Sequence, residues 1–129
     1  MPIRFLTPTM HGVVDYAAAA GLILMPFLLG LGDSAPLAKW LAVGTGIAVI
    51  AVSLSTDYRL GWLRILPFKG HLAADLAVAV LFLLAPSLFG FSGIDAYYYW
   101  ANAAAVFAVV AVSQPSEAAR ATTLAAAAE

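Results

Sequence analysis

The sequence predicts an all-α protein, a four-helix transmembrane bundle made of two tandem helical hairpins related by a pseudo-two-fold axis along the membrane normal. Three observations carry this. Four long apolar runs are free of charge, the basic residues gather on alternate connections, and the first half of the chain aligns with the second at a constant offset of 60 residues. Composition sets the class. Of 129 residues, 64% are hydrophobic and 10% charged, and mean hydropathy is +0.96. Soluble domains usually devote roughly a quarter of their residues to charge. Six basic and seven acidic residues cannot solvate a surface of this size, which excludes a soluble monomer. A net charge of −1 supplies no basic field for phosphates, so no nucleic-acid partner is expected. The absence of cysteine excludes disulfides, thiolate metal sites and cysteine nucleophiles.

The elements follow from the runs. Uncharged stretches cover residues 16–32, 40–56, 76–94 and 96–116. A helix needs ~20 apolar residues to cross the hydrocarbon core, with ~17 tolerated, so spans are expected at 11–31, 36–55, 71–91 and 96–115. They must be helices, because lipid offers nothing to satisfy free backbone groups. The first span imitates a signal peptide, but an equivalent segment recurs internally from residue 71, where none can sit. Pro26 falls two thirds along it and is expected to kink it. Gly30 follows four residues later, where a helix end favours glycine. The second span opens after the short loop Gly32–Pro36, and its Gly44-Thr45-Gly46 reads as a packing element that lets helices approach closely. The third span repeats the first with Pro86 and Gly90. The turn Ser92–Asp95 leads into the alanine-rich fourth, which carries the amide of Asn102. Residues 1–129 form one membrane domain, with repeats at 4–60 and 64–115. A polar, alanine-rich tail over 117–129 has no apolar face, and no function is assigned to it.

The lipid bilayer is thus the first partner. Arg4, Arg59, Arg64, Lys69 and Arg120 precede span 1, join spans 2 and 3, or follow span 4, whereas the opposite loops hold only Lys39. The positive-inside rule then places both termini in the cytoplasm of a prokaryotic cell, N-in and C-in. Trp40, the tyrosines 97–99 and Trp100 are expected as an aromatic belt at the outer interface, with Trp62 at the inner one. The 60-residue offset superposes Arg4 on Arg64, His11 on His71, Asp15 on Asp75, Pro26 on Pro86, Gly30 on Gly90, Trp40 on Trp100 and Ser53 on Ser113. Composition alone does not align such uncommon residues. The copies share a topology, which gives the parallel-repeat case and puts His11 and His71 at one depth.

Two segments, Leu24-Met25-Pro26-Phe27-Leu28-Leu29-Gly30 and Leu84-Ala85-Pro86-Ser87-Leu88-Phe89-Gly90-Phe91, resemble the SPW-repeat membrane proteins of prokaryotes. That family is built on a two-helix unit with a Ser-Pro-Trp signature and a following Gly-aromatic pair. The blocks His11-Gly-Val-Val-Asp15-Tyr16, Thr56-Asp57-Tyr58-Arg59-Leu60-Gly61 and Pro67 through His71 to Asp75 look like one of its subgroups. The resemblance runs from residue 8 to 115. Both copies keep the signature proline, and neither keeps its serine or tryptophan. It implies a small multi-span fold and no particular activity.

The ionisable residues at the cytoplasmic end carry the functional question. His11 and Asp15 share a helix face, as do His71 and Asp75. Asp57 lies on the same side of the membrane. Ionisable groups inside a span are costly, face the bundle interior and mark function by default. A structural reading competes: each aspartate sits in a first helical turn, favoured by the macrodipole, and pairs with Arg59, Arg64 or Lys69 while the histidines bridge water and headgroups. Sharper readings are a divalent metal (Zn, Mn or Fe(II)) held by His11, Asp15, His71 and Asp75, or haem with His11 and His71 as axial ligands. A proton path lacks a second ionisable group in the outer half of the spans. No Gly-x-Ser-x-Gly, His-Glu-x-x-His or dinucleotide fingerprint occurs. Thr56 and Ser53 read as span-end hydroxyls that bond to backbone. The expected role is therefore a binding or accessory module that associates with a larger membrane complex or with copies of itself. The alternative is a metal- or haem-binding protein using the His/Asp cluster.

Overall fold

A computed structural model describes residues 3–115 and 125–129. Four long helices make up the bundle: α1 (Pro8–Leu28), α2 (Pro36–Ser55), α3 (Phe68–Phe89) and α4 (Gly93–Val112). No strand longer than an isolated bridge occurs among the described residues. Within the tail, residues 125–128 form a single exposed helical turn, and 117–124 lie outside the described residues.

Only α2 occupies its expected span. The others start three residues earlier than the apolar runs suggest, because local capping chemistry outweighs hydropathy at helix starts. Thr7 accepts a hydrogen bond from the Met10 amide, and Pro8 supplies a preset φ at the first position. Asp15 and Asp75 therefore stand two turns inside their helices, and neither first turn contains an acid. The prolines shift correspondingly. Pro26 and Pro86 lie in the last turns of α1 and α3, beyond the two-thirds point expected. There their carbonyls accept from the Leu31 and Phe91 amides. Gly30 (φ 66°) and Gly90 (φ 72°) adopt the left-handed conformation that ends each helix.

α1 packs along α2, and α3 along α4. Of the two glycines in Gly44-Thr45-Gly46, only Gly46 makes the close approach: a Cβ there would lie 2.9 Å from the Ala19 carbonyl, while Gly44 faces open space. The hairpin pairs meet in an apolar cluster around Leu22, Ala42, Phe82 and Tyr99. Tyr99 is fully buried and donates to the Ala38 carbonyl at 2.7 Å, so it belongs to the core and not to an interfacial belt. Trp40, Tyr97 and Trp100 remain exposed. Asp95, unremarked in the sequence, is buried at the same end. It accepts from the Gly32 and Ser34 amides and from the Ser34 hydroxyl, tying the α1–α2 loop to the start of α4.

Two short backbone pairings close the other end. Leu6 pairs with Ser113, and Thr56 with Leu66. Each lays the residue that follows a second helix beside the lead-in to a first helix. Pro36 and Gly93 open, and Ser55 and Val112 close, the second helices, an offset of 57 residues. The ungapped 60-residue register thus fails beyond the first helices, because the α3–α4 turn is shorter than the α1–α2 loop. Relative to the helix ends, Thr56 and not Ser53 occupies the position of Ser113, and Trp40 that of Tyr97 and not Trp100.

The outside is apolar. Leu24, Leu28, Ile47, Leu83 and Leu88 all point outward. α1, α2 and α3 are long and apolar enough to cross a membrane. α4 is equally long, but Asp95, the tyrosine run and Asn102 make it less apolar.

Candidate functional site

His11 and His71, each one turn into its helix, are completely buried, as are Asp15 and Asp75 but for 7% and 9% of their surface. The helical spacing of four residues puts each histidine over its own aspartate, and the approach of α1 to α3 then brings all four together. The stronger contacts cross between helices. His71 Nε2 lies 2.6 Å from Asp15 Oδ2, and His11 Nε2 lies 2.8 Å from Asp75 Oδ2. The contacts within each helix are longer, 3.1 Å for His11–Asp15 and 3.3 Å for His71–Asp75. Among the described residues, every charge partner in this ring comes from the ring itself, and none of Arg59, Arg64 or Lys69 forms an ion pair with it. The expected cation pairing and the interfacial setting of the histidines are both overturned. The cause is the early helix start, which carries the acids beyond the reach of the loop cations.

Donor and acceptor accounting fixes the outward nitrogens. The Ser113 hydroxyl donates to the Val109 carbonyl at 2.6 Å, which leaves its oxygen free to accept from His11 Nδ1–H at 2.6 Å. Thr56 repeats this, donating to the Val52 carbonyl at 2.7 Å and accepting from His71 Nδ1–H at 2.7 Å. With both Nδ1 atoms protonated, both Nε2 atoms face the ring centre. Such a hydrogen bond on the remote nitrogen is the usual way a protein orients a metal-binding imidazole. Thr56 does bond to backbone as expected. Its second role, and the whole role of Ser113, escaped the sequence because the helix ends that deliver them are joined to the site only by the backbone pairings.

Aromatic rings cover the histidine side. Phe68 stacks on His71 at 5.7 Å and meets His11 edge-on at 5.2 Å, and Tyr58 lies 5.8 Å from His71. Burial pushes the Tyr58 phenol up to about 12, so it stays neutral beside the cluster. Gly12 makes room for it, since a Cβ there would lie 2.6 Å from the Tyr58 ring. Asp57 does not join the ring. It is exposed, and with Lys69 and three prolines it lines a separate cavity beyond Phe68.

One ligand atom from each of the four residues lies within 4.8 Å of every other. A tetrahedral site with bonds of about 2.1 Å has edges of roughly 3.4 Å, so to hold an ion the His–Asp contacts of 2.6–3.3 Å must lengthen and the widest separation must shorten. Haem does not fit. The two imidazoles stand edge to face, their centroids 5.3 Å apart, and the carboxylates fill the gap that a macrocycle would have to occupy. No family model, curated protein sequence or solved structure matches the chain.

Proposed function

We propose that this protein is a four-span membrane protein that binds one divalent transition-metal cation through His11, Asp15, His71 and Asp75. One observation carries the reading: four hard or borderline ligands converge in a buried ring whose two imidazoles are held by hydroxyls in the ligating tautomer. Charge balance supports it. Two carboxylates in an apolar interior demand two positive charges, and a divalent cation supplies both where two shared protons do so in its absence. Imidazole with carboxylate suits Zn, Mn or Fe(II).

α4 serves as the fourth span, because it matches α2 in length and its end meets the start of α1. The matched contacts of His11 and His71 support a duplicated hairpin with a two-fold axis through the ring, the arrangement of a divergent SPW-repeat protein. Arg4, Arg59, Arg64 and Lys69 gather at the histidine end, which we place in the prokaryotic cytoplasm. An accessory module keeps the same ring as a clasp between hairpins, without an ion.

Elemental analysis of the detergent-purified protein, after incubation with Zn, Mn or Fe(II), separates the two. Close to one metal per chain is expected, falling to background in the His11→Ala/His71→Ala variant and in Asp15→Asn, with helical circular dichroism retained. A folded protein that takes up none of the three metals leaves the clasp and overturns the metal site.

A further inference from the structure

Between the ring at one end and the apolar cluster at the other, the hairpins stand apart and enclose a cavity of about 100 Å³. Leu22, Val78, Phe82 and Val106 are among its walls. Its polar groups are Asp15, Asp75 and Asn102 alone. The aspartates form the floor, and the little surface they keep faces this space. The histidines keep none, being sealed by Phe68 and Tyr58.

We infer that this chamber binds a small, uncharged, apolar molecule of diatomic size and presents it to the ion, an assignment whose second half rests on the metal reading above. Two arguments converge on a lining that is apolar but for Asn102, whose amide donates to the Tyr98 carbonyl at 2.8 Å, and the two carboxylates, whose Oδ2 atoms serve the histidines. Size sets the class: an apolar cavity of roughly 150 Å³ takes up benzene or xenon, and one of two thirds that volume admits xenon or a diatomic gas but not an aromatic ring. Access sets the source. Val14, Ala18 and Ala105 line the chamber and are also exposed on the outside of the bundle. It therefore communicates sideways with the hydrocarbon, where apolar gases concentrate relative to water. Four protein ligands leave open positions on a cation that accepts five or six, and the chamber is the one side of the ring not covered by aromatic rings.

The test has two arms. Xenon NMR on the metal-free, full-length protein reads the chamber alone. Saturable binding above the detergent background is expected, weakened roughly tenfold or more by the filling variants Val106→Phe and Ala18→Phe. Xenon binding that these variants leave unchanged, or that a co-purified acyl chain blocks, overturns the inference. The second arm exposes Fe(II)-loaded protein to nitric oxide and follows the iron–nitrosyl signal by electron paramagnetic resonance. The adduct is expected in the parent and lost in Val106→Phe at unchanged iron content. An adduct indifferent to filling, or none on iron-loaded protein, overturns presentation to the ion. Failure to load iron falls on the metal reading instead, and the xenon result still decides the chamber.

Discussion

Ser113 and Thr56 are single hydroxyls that decide which nitrogen of each histidine is free. Ser113→Ala or Thr56→Ala leaves a buried Nδ1–H without an acceptor and lets the imidazole turn. Metal affinity should fall about 10- to 100-fold for either, the usual cost of losing such an outer partner. Ser113→Thr and Thr56→Ser, which keep the hydroxyl, should stay near the parent value. Competition against a chromophoric chelator reads this directly, and an Ala variant with parental affinity would show that the hydroxyls orient nothing. At this scale the sequence was partly legible. The four ring residues stand out as ionisable groups inside apolar runs, at i and i+4. Asp57 shares their chemistry but lies in the loop at the wrong depth. Ser113 and Thr56 are ordinary hydroxyls at helix ends, and only the pairing of Leu6 with Ser113 and of Leu66 with Thr56 makes them neighbours of histidines.

At the scale of elements, apolar length located each helix, while caps and close contacts set the ends and registers. α2 was legible to the residue because Pro36 opens it and the apolar run defines the rest. α1 and α3 begin earlier than hydropathy indicates, since Thr7-Pro8 and Pro67 start them upstream of the uncharged apolar runs. Two glycines give contrasting predictions for such contacts. Gly12→Ala drives a methyl into the Tyr58 ring and should cost about 1–3 kcal/mol by displacing the 56–67 segment. Gly44→Ala meets nothing within 4 Å, and should be neutral or slightly stabilising through helix propensity. Thermal unfolding in detergent compares them, and equal melting temperatures would contradict the contact. Asp95→Ala removes the acceptor for two amides and one hydroxyl, a loss of about 1–3 kcal/mol in the same assay. Its Asp95→Asn counterpart should recover part of that.

For the whole molecule, the distribution of charge makes a sidedness prediction. The chain contains no cysteine, so single cysteines report position without background. In intact cells, a membrane-impermeant maleimide should label Asp33→Cys in the α1–α2 loop and spare Trp62→Cys, which is 80% exposed at the histidine end. Permeabilised cells should label both. The reverse pattern would invert the topology. The all-helical, lipid-facing character was the most legible property of all, because it needs only the lengths of apolar runs and the scarcity of charge. How the hairpins face each other was less so, since a change of offset from 60 to 57 residues shifts one second helix against the other and no periodicity records it.

The ring's strong contacts run between α1 and α3 and not within either helix, and this bears on how the chain enters a bilayer. On the four-span reading, a first hairpin that enters the bilayer ahead of the second carries His11 and Asp15 with only each other as partners. An ionisable group deep in lipid costs about 2.5–3.5 kcal/mol on insertion scales. On that reading, arrival of the second hairpin relieves a cost that the first carries alone. Each half carries one histidine and one aspartate, and docking adds the shorter contacts between helices to the longer ones within each, a polar drive in a solvent where apolar surfaces have little reason to meet.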